Sequence, residues 1–470
     1  MKLKNYGALF LACVCALSVG SCSQGQSGAR GSDATEGTTV TTTTTPAATL
    51  NEEQAAAVAE VEVENAEKLE NGVVKWLSFW DLNPSNGKAA AIDLELFANN
   101  YGGSIEYIPT TWNDRFDALG KLVAAGDSPD MFPAADGDVF PRCAIGGMFA
   151  PIDDYVDLTA PIWDDMSEMN SNYMLGDKHY VANVSIDADC VMIYNKKTMQ
   201  EHGFTDPTQL LAEDNWTWDT LYDMLAAFSD RSDDRFGIDG WWFENAISLT
   251  TGVPYIGIKD GKLAHNLNDP MVVKVQDYMM NLQRADIPYP KAEHDWTIAP
   301  QNIASGKTLF YPCGTWCLYE ADLSNFGEYE DIAFVPMPRC PDADAYYVPA
   351  RADAFALVQG GTNLEGAGKF IECRKISATD ERTKEISKQQ FFDDYHWTEE
   401  MWDMYQTVIE YTKQNPAVEM CNSLNGNITD LLSNNIKNSF NAGTPWTETK
   451  DSIIFAVESE LDAVNAKLGN

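Results

Sequence analysis

Tryptophans and acidic side chains follow several predicted strands, at the points where those strands end. Trp80 and Asp81 close the first predicted strand, and Trp112 follows the second. Asp136 follows the third, and the whole chain of 470 residues has 13 tryptophans, a high number for its length. Flat indole rings offer faces for stacking, while carboxylates accept hydrogen bonds from hydroxyl and ammonium groups. These residue types therefore indicate a binding site for a ligand that has both apolar faces and a polar rim.

Alternating strand and helix patterns must position these side chains. Strands are predicted over 73–80, 104–108 and 131–133, and apolar residues at helical spacing predict helices over 88–101 and 115–125. This alternation is typical of parallel βαβ units in an open α/β sheet. Ligands of such sheets bind outside the carboxyl ends of the strands, which is where these tryptophans and acids stand.

The first 22 residues have the pattern of a secretory signal. Lys2 and Lys4 precede an apolar run over 6–19, and small residues stand directly before Cys22. The pattern resembles a bacterial lipobox, so we predict a signal peptide over 1–21 and a lipid on Cys22. Acyl chains at about 0.8 kcal/mol per buried methylene would then anchor the protein to the cell membrane, outside the cytoplasm. The alternative is an ordinary signal peptide followed by an unrelated cysteine.

A spacer over 22–70 is predicted between this signal and the folded part. Residues 23–48 are rich in Ser, Gly and Thr and have too few apolar side chains for a core, which predicts a flexible tether. Residues 50–70 are rich in Ala and Glu, and the sequence leaves open whether they form a polar helix or more spacer. About 400 residues remain, a length that suits two domains.

The charge of the chain excludes some partners. With 71 Asp and Glu against 32 Lys and Arg, the formal net charge is −39. A field of this sign repels phosphate backbones and other anions, so no nucleic acid partner is expected. No second apolar stretch of about 18 residues or more follows the signal, so no further membrane-spanning helix is predicted.

Cysteine usage indicates buried side chains rather than a metal site. Of the ten cysteines, three lie within the first 22 residues, and the seven beyond them are scattered through apolar segments. Cys313 and Cys317 are the only near pair, and the sequence leaves open whether they form a disulfide. Because the five histidines are also scattered, no metal site and no cofactor are predicted.

Several segments appear in the order that one known family has them. Residues 125–130 look like that family's helix-to-strand turn, and 176–181 look like its stretch before a crossing strand. Residues 192–199 match the strand and helix at which its second lobe begins, and 303–310 followed by 314–316 look like its Gly-Lys segment and the tryptophan after it. Beyond the spacer, the chain therefore resembles the extracellular solute-binding proteins of ABC importers, in the carbohydrate-binding group that includes maltose-binding protein.

The resemblance implies a two-lobed α/β fold of the periplasmic-binding-protein type II, in which each lobe is a mostly parallel sheet flanked by helices. It places residues 71–186 and 340–390 in lobe I, and residues 187–339 and 391–470 in lobe II.

Crossing segments would join the lobes as a hinge. They are expected near 184–190, near 335–340, and between Ile386 and Tyr395. In this family the lobes close on the ligand, and a membrane permease then recognises the closed form.

The resemblance also adds residues to the predicted site. Trp316 matches the family's stacking tryptophan, Trp242 looks like part of the aromatic loop of lobe II, and Arg351 lies where the family often has a ligand-facing loop. Asp187 lies on the presumed crossing strand, where a carboxylate could accept a hydroxyl hydrogen bond. Other tryptophans are expected to pack in the cores instead: Trp76, Trp163, Trp216 and Trp218.

Residues and resemblance together imply a lipid-anchored monomer that binds a carbohydrate, an oligosaccharide above all, and delivers it to an ABC permease. A polyamine or other non-sugar solute stays open, because Asp81, Asp136 and Asp138 accompany the aromatics. A surface glycoside hydrolase is the alternative from another class, and it needs two carboxylates at a suitable separation. Acidic pairs arise by chance in so acidic a chain, and no nucleophile elbow or zinc-protease motif occurs, so no catalytic residue is predicted.

Overall fold

The computed structural model describes most of the chain beyond the amino-terminal segment, namely residues 49–61, 63, 66–84, 88–259, 261–320 and 323–468. The predicted signal peptide, the lipidation site at Cys22 and the Ser/Thr/Gly part of the spacer lie outside the described residues. Within the described ranges, no helix is long and apolar enough to cross a membrane.

The described residues form fifteen strands, numbered in chain order. The strands are β1 Val73–Ser78, β2 Ser104–Pro109, β3 Met131–Pro133, β4 Phe149–Ala150, β5 Met174–Leu175, β6 Lys178–His179, β7 Ala182–Ala188, β8 Val191–Asn195, β9 Phe236–Ile238, β10 Ile256–Lys259, β11 Lys262–His265, β12 Thr308–Cys313, β13 Ile332–Pro336, β14 Val348–Val358 and β15 Pro416–Ala417.

Seventeen α-helices complete the described architecture. The helices are α1 Glu52–Ala59, α2 Ile92–Tyr101, α3 Arg115–Ala125, α4 Arg142–Ile145, α5 Ser167–Ser171, α6 Lys196–Glu201, α7 Pro207–Ala212, α8 Trp218–Phe228, α9 Phe243–Leu249, α10 Pro270–Arg284, α11 Cys317–Glu320, α12 Leu364–Thr379, α13 Glu381–Tyr395, α14 Glu399–Gln414, α15 Gly426–Ile436, α16 Asn438–Ala442 and α17 Trp446–Leu468.

The first sheet contains the predicted βαβ units. Its strand order is β15-β14-β3-β1-β2, and β4 and β7 also pair with β14. β1 is parallel to both β2 and β3, as the alternating pattern predicts. Helices α2 and α3 end at Gly102 and Gly126, whose φ angles of 68° and 74° suit glycine and reverse the chain toward the next strand.

The second sheet has the order β13-β8-β12-β9. β8 is antiparallel to β12 and β13, and only β9 runs parallel to β12 within it. In the first sheet β14 is likewise antiparallel to β3, β4 and β7. Both sheets are therefore mixed, in contrast to the mostly parallel sheets expected. The reason is that β7 leads out of the first sheet into β8 while β14 returns to it from β13, so leaving and returning strands run in opposite directions.

Each sheet has its own apolar core. Trp76 and Trp163 pack in the core beside the first sheet, while Trp216 and Trp218 pack beside the second. All four are at most 2% exposed, which confirms that they are core residues. Helix α13 connects the two regions, since Ile386 packs in the first core and Phe391 packs in the cluster that contains β8 and β12.

The Ala/Glu segment that the sequence left undecided contains a docked helix. Asn51 caps α1 in a capping box with Gln54, and α1 packs against α2 and α13. Val58 and Val61 are buried in the core of the first sheet, at 1% and 4% exposure. The Arg382 side chain also donates to the carbonyl of Glu60 at 2.7 Å. This part of the predicted spacer is therefore integrated into the folded protein.

Removing α1 should destabilise the protein, although it lies in a segment of low sequence complexity. We expect a chain that begins at residue 67 to have a free energy of unfolding about 2–4 kcal/mol below that of a chain beginning at residue 49, since two valines lose their burial. Urea unfolding followed by tryptophan fluorescence measures the difference. The chain that begins at residue 49 is the reference, because it lacks only the residues before the docked helix. Equal stability of the chains starting at 49 and 67 would contradict the docking.

Candidate functional site

Strands β7 and β14 place an acid opposite a base at the end of the first sheet. Arg351 is the cross-strand partner of Asp187, and both are half-buried. The Asp187 carboxylate accepts the N–H of Ala188 at 2.7 Å and the hydroxyls of Thr315 and Tyr405 at 3.2 and 3.3 Å. Asp187 therefore links three parts of the fold: β7, the loop after β12, and α14.

Three carboxylates share the positive charge of Arg351. Burial raises the pKa of Asp136 to about 6, and Arg351 opposes that shift. Burial also raises the pKa values of Asp187 and Asp189, again against the effect of Arg351. We call these three acids (Asp136, Asp187 and Asp189) the hinge carboxylates, after the crossing segment that the sequence predicts near 184–190. Since one guanidinium balances only one of them, the group has excess negative charge and spare hydrogen-bond acceptors when fully ionised.

A buried ion pair stands beside the hinge carboxylates. Asp138 is 6% exposed and accepts from the Arg115 Nε at 3.2 Å. The guanidinium of Arg115 also lies over the Trp112 ring, 3.4 Å from its centroid. The Asp138 carboxylate is therefore engaged in this ion pair. Arg115 connects the acids after β3 to the aromatic side chains after β1 and β2.

Aromatic rings cluster at the carboxyl ends of β1 and β2. Phe79 contacts Trp80 and Trp112 edge to face, with ring centroids 4.6 and 5.1 Å apart. Trp112 is 41% exposed, an unusual state for so large an apolar side chain. Asp81 is engaged in a local turn, because its Oδ1 accepts both the backbone and side-chain N–H groups of Asn83 at 2.9 Å.

A second aromatic pair comes from the other sheet. Trp242 precedes α9 and Trp316 follows β12, and their rings meet edge to face with centroids 5.6 Å apart. Both are half-buried. Because Trp316 directly follows Thr315, whose hydroxyl donates to Asp187, the pair stands next to the hinge carboxylates.

A disulfide joins Cys313 to Cys317, which answers the question that the sequence left open. It closes the segment that carries Thr315 and Trp316. The other cysteines of the described chain are free thiols and buried, as expected for small core side chains: Cys143, Cys190, Cys340, Cys373 and Cys421. Among the described residues, no group of three or more His, Cys, Asp or Glu side chains is placed to hold a metal ion.

The structure joins most of the predicted site residues into two groups of contacts. Asp136, Asp187 and Arg351 interact electrostatically, and Asp187 connects through Thr315 to the Trp316–Trp242 pair. Trp80 and Trp112 join each other through Phe79, and Arg115 stands between Trp112 and the acids. Asp81 is held apart in its turn with Asn83.

Sequence reasoning missed three contributors to this arrangement. Thr315 could have been found from its position beside Trp316, and Arg115 from its position after Trp112 at the start of α3. Tyr405 gave no sequence signal, because it meets Asp187 across 218 residues of chain.

Two surface depressions lie away from these residues. One, of about 500 Å³, is lined by polar residues that include Asn195, Ser305 and Tyr329. The other, of about 540 Å³, is lined by residues that include Asp219 and Tyr278. Neither includes a predicted site residue, and neither combines several aromatic faces with a group of buried acids.

Both the sequence and the fold of this chain are similar to those of known proteins. The profile of the family described as bacterial extracellular solute-binding protein matches residues 83–373. A search of curated protein sequences finds no significant match.

Solved structures of similar fold include several binding proteins. An ABC substrate-binding protein from Listeria monocytogenes in complex with cycloalternan has a TM-score of 0.60 and 16% identity, covering 84% of this chain and 98% of its own. The GacH receptor of Streptomyces glaucescens, solved unliganded and with acarbose, has a TM-score of 0.61 and 14% identity, covering 84% and 99%. The cyclic α-maltosyl-1,6-maltose binding protein from Arthrobacter globiformis has a TM-score of 0.59 and 15% identity, covering 86% and 99%. These likenesses establish the two-lobed fold.

Proposed function

The chain belongs to the family of bacterial extracellular solute-binding proteins, and from that premise we propose that it binds a carbohydrate, an oligosaccharide above all, and delivers it to an ABC importer. The cleft would lie between lobe I (residues 71–186 and 340–390) and lobe II (187–339 and 391–470). The proposal includes no catalytic step, since the fold and family are those of binding proteins.

The observation that carries the proposal is the link between an aromatic pair and a half-buried acid. A sugar presents an apolar C–H face and a rim of hydroxyls, so its site needs ring faces and paired polar groups. Trp316 meets Trp242, and the neighbouring Thr315 donates to Asp187. A pyranose stacked on Trp316 would therefore have hinge carboxylates within reach as hydroxyl acceptors.

The other predicted residues complete this proposed cleft. Trp80 and Trp112 would form a second aromatic wall, with Asp81 at its rim. Arg351 would hold the hinge carboxylates together and donate to ring or hydroxyl oxygens. Two aromatic walls on different sheets suit a ligand longer than one sugar ring, which favours an oligosaccharide. Relatives of this fold solved with cycloalternan and acarbose support the same chemistry.

Closure of the two lobes would complete the site. β7 leads into β8, β13 leads toward β14, and α13 passes from one core to the other, so these segments would form the hinge between the two sheets. Closing excludes water, which strengthens each hydrogen bond to the ligand, and the closed form would be recognised by the permease subunits. A lipid on Cys22 would keep the monomeric protein at the cell membrane, near that permease.

A cationic solute such as a polyamine is the second candidate. The excess of hinge carboxylates over Arg351 favours it, because ammonium groups would neutralise that charge, and aromatic faces bind cations. A carbohydrate and a cationic solute would use Trp316 and the hinge carboxylates differently.

A thermal-shift screen of the chain from residue 49 tests the proposal. We expect the midpoint of unfolding to rise with the concentration of a particular oligosaccharide, since a ligand at 100 times its Kd adds about 2.7 kcal/mol of stability. Linear and cyclic maltodextrins, other oligosaccharides, polyamines and peptides form the panel. Glycerol at matched concentration controls for general solvent effects. A response to polyamines alone would replace the carbohydrate proposal with the cationic one, and a response to peptides alone would overturn both.

A further inference from the structure

We propose that the Cys313–Cys317 disulfide is a positioning element of the binding site. We call the segment that it closes, residues 313–317, the disulfide loop. The disulfide holds this loop so that Thr315 and Trp316 keep their places, and its reduction weakens ligand binding without unfolding the protein. The consequence for affinity rests on the proposed function, whereas the positioning of the two side chains does not.

The disulfide loop holds both of its functional side chains between the two sulfurs. Cys313 is the last residue of β12 and Cys317 is the first residue of α11. Between them, Thr315 donates to Asp187 and Trp316 contacts Trp242. A cross-link around so short a segment leaves few backbone conformations to the residues inside it.

The loop is folded back on itself by its own turn bonds, and the Leu318 carbonyl directly after it accepts the Trp397 Nε1–H at 2.6 Å. The N–H of Cys317 donates to the Gly314 carbonyl at 3.0 Å, and the N–H of Leu318 donates to the Thr315 carbonyl at 2.9 Å. The turn is so tight that a Cβ on Gly314 would lie 2.3 Å from Nε1 of Trp316. These are local turn bonds. Helix α11 has only four residues, too few to hold the loop by helical cooperativity alone.

The cross-link joins rigid sheet to a ligand-facing turn. Cys313 is fully buried at the end of β12, where it pairs with Val191 of β8. Cys317 is 6% exposed, so the bond is shielded from solvent. The disulfide therefore ties the turn that carries Trp316 to the end of β12 in the second sheet.

Reduction is a balanced exchange with a dithiol reagent. Dithiothreitol supplies two electrons and two protons, the S–S bond breaks to give the Cys313 and Cys317 thiols, and the reagent closes to its cyclic disulfide. Because the other described cysteines are free thiols, this disulfide is the one that reduction changes within the described part of the chain.

Fluorine NMR of protein labelled with 5-fluorotryptophan tests the positioning without any ligand. We expect reduction to move the resonances of Trp316 and Trp242, assigned by single Trp→Phe variants, and to leave those of Trp163 and Trp446 in place. Those two are buried in other clusters and report on the fold. The Cys313→Ser/Cys317→Ser variant should show the reduced spectrum and no response to dithiothreitol, which covers the case of a bond inaccessible to the reagent. Unchanged Trp316 and Trp242 resonances in both the reduced protein and the variant would overturn the proposal.

Calorimetric titration with a mixture of maltodextrins, from maltose to maltoheptaose, measures the consequence for binding. We expect the reduced protein to bind about tenfold more weakly than the oxidised protein, because two side chains must be ordered again on binding. Equal affinity of the two forms would overturn the role in binding. If neither form binds maltodextrins while the two resonances move, the positioning stands and the proposed ligand class is wrong for these sugars.

Discussion

We expect Trp316→Ala to weaken oligosaccharide binding by about 30- to 100-fold. This is the largest effect on affinity that we predict for a single side chain. A tryptophan that stacks on the ligand contributes about 2–3 kcal/mol to binding, and the truncated residue leaves the sugar face against water. Trp316 is half-buried and its ring touches Trp242, so we expect the free energy of unfolding to fall by only about 1 kcal/mol. Isothermal titration with the sugar that gives the largest thermal shift measures the loss.

The matched control for this substitution is Trp296→Ala. Trp296 is 53% exposed and lies outside the series of contacts around the hinge carboxylates. Its truncation should leave affinity unchanged. Trp316→Phe should retain part of the affinity, because a smaller ring face remains for stacking. If Trp316→Ala binds the sugar as tightly as the unaltered protein, Trp316 is a packing residue and the proposed cleft is misplaced.

The helices and strands whose extent is decided by local sequence patterns were the most predictable parts of this fold. Helix α3 runs from Arg115 to Ala125 as its apolar spacing indicates, and β1 and β2 begin where predicted, at Val73 and Ser104. Each of these segments has its own periodicity and a glycine or polar turn at its end, so local physics decides its extent. No local pattern fixes the start of strand β14 at Val348. Its first two residues pair with β15 and residues 350–353 pair with β7, so partners distant in sequence keep this part of the chain extended.

The residues of the candidate site also differ in what was needed to predict them. Trp80, Trp112 and Asp136 were recognisable because they follow predicted strands, whereas Arg351, Trp242 and Trp316 required a family resemblance. The partners of these residues were not visible in sequence. The sequence indicates no partner for the Asp81 carboxylate, but in the fold this carboxylate accepts the N–H of Asn83 within a turn. Tyr405 looks like one aromatic among many on α14, and only the tertiary structure brings its hydroxyl to Asp187. Long-range polar contacts of this kind decide which acids remain available to a ligand.

Asp136→Asn is expected to stabilise the ligand-free protein at neutral pH while weakening binding. Burial raises the Asp136 pKa from 3.8 to about 6, so the folded state binds a proton that the unfolded state has released between these values. The ionised Asp136 carboxylate thus lowers the free energy of unfolding above about pH 6. This loss disappears as the pH falls toward about 4. At about 1.4 kcal/mol per pKa unit, the amide should gain about 2 kcal/mol at pH 7, after allowance for coupling to the other hinge carboxylates.

The difference in stability between Asp136→Asn and the unaltered protein should therefore depend on pH. Urea unfolding at a series of pH values is expected to give a difference near zero at about pH 4, rising to its full value by about pH 7. Asp462→Asn is the matched control, because Asp462 is exposed on α17 and should give no such curve. Binding of the sugar should weaken about tenfold in Asp136→Asn, since an ionised hydroxyl acceptor becomes a neutral amide. A half-buried acid that costs stability and strengthens binding is a ligand-binding group. A stability difference that stays flat with pH would show that folding does not raise the pKa of Asp136.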